Sequence, residues 1–121
     1  MKQIITIIAL FLMNMTFAQD KNARASIEVD GVCGMCKERI EMAAIKTKGV
    51  KSAVWSIETH QLDLIYDARK TNLDSVSNHL AAVGHDTKAI KATEEAYLSV
   101  HTCCRYRDDE VMKDHEGENK N

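Results

Sequence analysis

Between Ala25 and Ile90 the spacing of apolar residues changes in a fixed order: period two, then 3.6, then two for a pair of segments, then 3.6, then two. That order leaves few ways to build one core. Ala25 to Val32 alternates, with Ile27 and Val29 on one face, and Gly31 ends it. From Cys36, the positions Ile40, Ala43 and Ala44 recur at helical spacing, with Lys37, Glu38, Arg39 and Glu41 outside and Gly49 as the stop. Val50 to Ile57 turns Ala53, Trp55 and Ile57 inward, and Leu62 to Tyr66 turns Leu62, Leu64 and Tyr66 inward. The short turn between them predicts a hairpin. Leu73, Val76, Leu80 and Val83 mark a second helix, started near Thr71 or Asn72 and ended by Gly84. Thr87 to Ile90 supplies a fourth, weaker strand. The predicted fold class is α+β, a ferredoxin-like βαββαβ sandwich over residues 25–91. It has a four-stranded antiparallel sheet with two helices on one face, plus a C-terminal extension.

The flanks read differently. Lys2, the apolar run Ile4 to Met13, and the small residues Thr16 and Ala18 predict a secretory signal over residues 1–18, cleaved after Ala18. The run is shorter than the roughly 18–20 residues a spanning helix needs, so no stable membrane insertion is expected after cleavage. The mature protein is then exported, periplasmic or extracellular, where thiols meet an oxidising environment. Residues 92–107 form a Cys- and His-containing extension that reads as a helix capped at Thr93. Residues 108–121 carry Asp108, Asp109, Glu110, Asp114, Glu116 and Glu118 against Lys113 and Lys120, and read as a charged, disordered tail.

Composition removes several classes of function. A net charge of −2 gives no basic field for nucleic acid or an anionic membrane, and 5% aromatic residues leave little to stack on bases. No paired carboxylates, nucleophile triad or phosphate loop is visible, so no enzyme is expected.

Chemistry concentrates at Cys33-Gly34-Met35-Cys36, where the first strand gives way to the first helix. Two intervening residues let both sulfurs converge on one point. Soft thiolates favour Cu(I), Zn(II) and heavier soft ions. The free N–H groups and dipole of a helix start stabilise a thiolate. Two protein sulfurs suit a low coordination number and leave an ion open to a third thiolate, whereas a closed four-ligand site releases it less readily. A structural disulfide, a thioredoxin-like redox pair and inert buried cysteines compete with this reading. The redox pair belongs to a different element order and usually faces a proline, and this chain contains none. A metal site leads, and a thiol–disulfide oxidoreductase is the rival from another class.

The stretches C-G-M-C-K-E-R-I-E-M-A (Cys33–Ala43), G-V-K-S-A-V-W-S-I (Gly49–Ile57), L-D-L-I-Y-D (Leu62–Asp67) and L-A-A-V-G-H (Leu80–His85) resemble the heavy-metal-associated domain family. Copper chaperones, copper-pumping ATPase extensions and periplasmic mercury-binding proteins carry this domain. The resemblance implies that Cys33 and Cys36 bind one soft ion, typically Cu(I), and pass it on by ligand exchange. The recipient would be a membrane metal transporter or another metal-binding domain. Hg(II) in a resistance role is the alternative cargo. One departure stands out: where the family usually has a methionine packed under the loop, this chain has Gly31, which leaves the loop's packing open.

His85, in the loop after the second helix, is a candidate third ligand or supporting group, or else an ordinary loop histidine. His101, Cys103 and Cys104 lie outside the family pattern. On a continuous helix Tyr97, His101 and Cys104 share a face, so His101 and Cys104 would share an ion. Alternatively the segment folds back and lends a thiolate to Cys33 and Cys36, or forms a disulfide with one of them. A bond between the adjacent Cys103 and Cys104 would be strained. Trp55 and Tyr66 read as core.

Overall fold

A computed structural model describes residues 20–100 and 102–118. The expected signal segment 1–18 and His101 lie outside the described residues. The elements are β1 (Ala23–Glu28), α1 (Gly34–Ile45), β2 (Val50–Trp55), β3 (Gln61–Tyr66), α2 (Leu73–Ala82), α3 (Glu94–Leu98), a 3₁₀ turn (Thr102–Cys104) and α4 (Asp109–Glu118). None of these helices is long and apolar enough to cross a membrane.

β3 is the central strand and pairs antiparallel with both β1 and β2. Its alternation is clean: Leu62 and Leu64 are buried and Asp63 is exposed. The pleat therefore puts the apolar pair on the side covered by the helices. Opposite them, Trp55 of β2 pairs with Leu62 and Ala53 with Leu64. α1 buries Cys36, Ile40, Ala43 and Ala44, which is one helical stripe. α2 buries Val76, Ser77, Leu80 and Ala81, and the side chain of Asn72 caps its start by accepting from the Ser75 N–H at 2.9 Å.

Among the described residues the sheet has three strands, not the four expected. Thr87 makes one bridge to Val29, beside a bond from the Asp30 N–H to the Asp86 carbonyl at 2.9 Å, and pairing stops there. The reason is local. The Thr87 N–H donates to the Ile90 carbonyl at 2.9 Å, and the Ile90 N–H donates to Thr87 Oγ1 at 3.1 Å. A Thr side chain and a tight turn consume the backbone groups that a strand would have offered to β1.

The C-terminal third also departs from expectation. The helix begins as predicted, with Thr93 Oγ1 accepting from the Ala96 N–H at 3.2 Å, but it lasts only five residues. At Ser99 and Val100 the N–H groups bond to carbonyls three residues back, and the Ser99 hydroxyl donates to the Ala96 carbonyl. Both closures end a helix. Val100 then turns inward, 3% exposed. Tyr97, Val100, Cys104 and Tyr106 join the same core as Ile40, Trp55 and Leu80. Residues 92–100 and 102–107 are thus part of the folded domain. The expected disordered tail contains α4. Asp108 starts it by accepting from the Glu110 N–H, and Val111 and Met112 pack against the core.

Candidate metal centre

Cys33 occupies the N-cap position of α1, in extended backbone geometry, and its carbonyl accepts from the Lys37 N–H at 3.0 Å. The helix opens directly afterwards, so Met35 and Cys36 are its second and third residues. Their amides are the ones an N-cap side chain ordinarily satisfies. Cys36 is fully buried and Cys33 half-buried. Their sulfurs are 3.7 Å apart.

The loop rests on Trp55. A Cβ built at Gly31 would sit 3.0 Å from the Trp55 ring and 3.1 Å from the Cys36 Cβ. The indole N–H donates to the Val29 carbonyl at 3.0 Å and fixes the ring there. Trp55 thus fills the space beneath the loop, which explains the glycine at a position where a larger side chain was expected. At the other side of β2's end, the Trp55 N–H donates to Glu41 at 2.9 Å and Lys37 donates to the Trp55 carbonyl at 2.7 Å. Lys37 and Glu41 are themselves ion-paired. These bonds tie α1 to the strand below it.

The extension folds back over this junction. Cys104 Sγ lies 3.4 Å from Cys33 Sγ, and Cys103 Sγ lies 3.9 Å from both Cys33 Sγ and Cys104 Sγ. The sulfur of Met35 is 3.5 Å from Cys103 Sγ. These separations are far beyond a bonded pair at about 2.05 Å, so the sulfurs meet as thiols. Among the described residues, the ligand atoms of Cys33, Cys103 and Cys104 lie within 4.8 Å of one another, and Cys36 adjoins them through Cys33.

The thiols are not equivalent. Burial works against ionising Cys33. The Cys36 amide, the thiols of Cys104 and Cys36, and the Met35 amide outweigh it, and its pKa falls below the ordinary 9.0. Burial raises the pKa of Cys36. Burial, then the neighbouring Cys33, does the same at Cys103. Cys104 rises furthest, through burial and then the Cys36 and Cys33 thiols. The first thiolate therefore forms at Cys33, the half-buried sulfur at the helix start.

His85 takes a different place. It is fully buried, its Nδ1 lies 2.9 Å from the Asp30 carbonyl, and its ring stacks on Tyr106 at 5.7 Å between centroids. A carbonyl only accepts, so Nδ1 carries the proton. Burial lowers the pKa of the ring, against its charged form. His85 is not among the residues whose ligand atoms cluster at Cys33. It supports the loop onto which the extension packs.

Spacing did not announce the residues that hold the extension. Tyr106 donates to the Gly84 carbonyl at 2.9 Å and accepts from the Asp86 N–H at 3.0 Å. Arg107 donates to Asp86 at 2.7 Å and lies 4.4 Å over the Tyr97 ring. Asp86 also accepts from the Ala92 N–H at 2.7 Å. Gly84, at φ +96°, lies so close to Ala96 that a Cβ would stand 2.5 Å from its carbonyl oxygen. The sequence signal was faint: Arg105-Tyr106-Arg107 after the cysteine pair, and an acid just past Gly84-His85.

Known proteins resemble the part of the chain that carries Cys33 and Cys36. The chain is 29% identical over 73 residues to a copper-exporting P-type ATPase of Staphylococcus haemolyticus; the match takes in 60% of this chain and only 9% of the ATPase. The solved structure of the CopZ metallochaperone is 29% identical with a TM-score of 0.52, and the match covers 54% of this chain and 98% of that one. The Cu(I)-loaded N-terminal domain of a potential copper-translocating P-type ATPase from Bacillus subtilis is 20% identical with a TM-score of 0.53. That match covers 55% of this chain and 85% of that one, and supports the fold alone. The family model for the heavy-metal-associated domain matches residues 26–86, and the chain belongs to that family.

Proposed function

We propose that this protein is an exported carrier that captures Cu(I) on Cys33 and Cys36 and buffers it or hands it to a partner by ligand exchange. The observation that carries the reading is the sulfur pair at the start of α1, 3.7 Å apart, with Cys33 half-buried and its pKa lowered by the surrounding amides and thiols. A d¹⁰ soft cation prefers thiolate over oxygen ligands. The likeness to CopZ and to part of a copper-exporting ATPase supports copper as the cargo. Residues 1–18 support export, because their charge and apolar run have the form of a cleaved leader. In the hand-over, a partner thiolate attacks at the Cys33 side, since Cys36 is sealed beneath the loop. The partner would be a membrane metal transporter or a second cysteine-pair domain.

Competition titration against a chromophoric Cu(I) chelator tests the reading, with Hg(II) as rival cargo. Wild type is expected to withdraw one equivalent of Cu(I), and then to yield it to an added cysteine-pair domain without release into solution. A protein that competes for Hg(II) but not for Cu(I) contradicts it.

A further inference from the structure

We propose that Cys103 and Cys104 complete the site as a second thiol pair, so that residues 93–100 and 102–107 form a strap that closes a three-sulfur shell of Cys33, Cys103 and Cys104, with Cys36 adjoining it, over the bound ion. This rests on the reading that Cys33 and Cys36 take the ion.

Distances point to the closed shell. Two sulfurs bonded at about 2.3 Å on opposite sides of an ion stand about 4.6 Å apart, whereas a regular tetrahedron of such bonds has edges of about 3.8 Å. Cys33 and Cys36 are 3.7 Å apart, too close for a linear pair and right for tetrahedral or trigonal sharing. Cys33–Cys104 at 3.4 Å, Cys33–Cys103 at 3.9 Å and Cys103–Cys104 at 3.9 Å have the same size and make one mutual group of three sulfurs, which Cys36 adjoins through Cys33 without lying within 4.8 Å of all three. Adjacent residues in a 3₁₀ turn are rotated by about 120° and tend to diverge. Here both sulfurs nevertheless converge on Cys33.

The strap is also built to stay. Tyr106 bridges Gly84 and Asp86, Arg107 pairs with Asp86 and donates to the Ala92 carbonyl at 3.0 Å, and Arg39 reaches across to the Val83 carbonyl at 2.8 Å and Ser99 at 3.4 Å. These contacts lie on both sides of the cysteine pair in sequence. Met35, half-exposed beside Cys103, leaves a thioether at the rim where an ion enters.

On loading, each coordinating thiol loses its proton to solvent as its bond to the ion forms, and no electron moves. The strap then gives the site two states. With it seated, the ion has three or four sulfurs and is retained. With it lifted, the ion has Cys33 and Cys36 alone and is open to a partner's thiolate. Delivery therefore requires a partner that displaces the strap.

The test loads reduced wild type, Cys103→Ser/Cys104→Ser and Tyr106→Phe with one equivalent of Cu(I). X-ray absorption counts the sulfurs, and stopped flow follows release to a bidentate chelator. Wild type is expected to show three or four sulfurs. The double variant should show two, and release should be at least about tenfold faster because an intramolecular ligand pair has been lost. Tyr106→Phe keeps all four thiols and should fall between the two in rate, which guards against a double variant that packs poorly. Equal sulfur counts and equal rates in wild type and the double variant overturn the strap while leaving Cys33 and Cys36 as the site. Failure of all three proteins to bind Cu(I) overturns both.

Discussion

Replacing Tyr106 with Phe removes one oxygen and nothing else, at a point where the consequences can be worked out. The hydroxyl donates to the Gly84 carbonyl at 2.9 Å and accepts from the buried Asp86 N–H at 3.0 Å, and the residue is 9% exposed. Losing an ordinary hydrogen bond costs about 1 kcal/mol, and leaving a buried N–H without an acceptor costs about 1–3 kcal/mol. The ring keeps its edge contact with Tyr97, 5.2 Å between centroids, and its stacking on His85, so no cavity opens. The expected loss is about 2–3 kcal/mol. If the extension unfolds together with the sheet, as its share in one core implies, this lowers the melting temperature of a domain of this size by roughly 10–20 °C. Thermal unfolding by circular dichroism under reducing conditions reads it. Hydrogen exchange should show the loss of protection centred on residues 84–107. A melting temperature within a degree or two of wild type, with unchanged exchange at Asp86, would refute the claim that these bonds hold the extension in place.

Three further expectations follow from the same geometry. Gly31→Met should destabilise the apoprotein by about 1–3 kcal/mol through overpacking, because Trp55 already fills that space, and Trp55→Leu in the same chain should restore part of the loss in a thermal melt. Iodoacetamide at neutral pH should label Cys33 first and Cys36 and Cys104 last, since only Cys33 is both half-buried and lowered in pKa; peptide mass spectrometry reads the order, and the Cys33 rate should fall with pH through a midpoint below 9.0. Burial opposes ionising Asp86, but the bond from Arg107 and the Ala92 amide outweigh it and lower its pKa below 3.8, so its stabilising share is full above that value and is lost as pH falls through the lower folded value. An acid titration of wild type against Asp86→Asn should show the difference in stability between them shrinking below pH 3.8.

Much of the domain could be read from periodicity because β3, α1 and α2 each bury one face. Leu62 and Leu64 in β3, Ile40 and Ala44 in α1, and Val76 and Leu80 in α2 all mark their elements by spacing alone. The cysteine pair was visible for the same reason, as a short motif at a junction between two periods. What failed was governed by side chains acting on backbone. Thr87 captured the Ile90 N–H and ended the fourth strand, and Ser99 closed a helix that propensity would have continued. The convergence of Cys103 and Cys104 on Cys33 depends on Tyr106, Arg107 and Asp86, contacts between segments about 20 residues apart that no period encodes. Gly31 is intelligible only with Trp55 in place, a pairing across 24 positions.

The most direct measurement of the central claim is native mass spectrometry of reduced protein titrated with Cu(I), comparing wild type, Cys103→Ser/Cys104→Ser and Cys33→Ser/Cys36→Ser. The account predicts one tightly held ion on the first two proteins and none on the third, with all three folded. One Cu(I) retained as firmly by folded Cys33→Ser/Cys36→Ser as by wild type would contradict it.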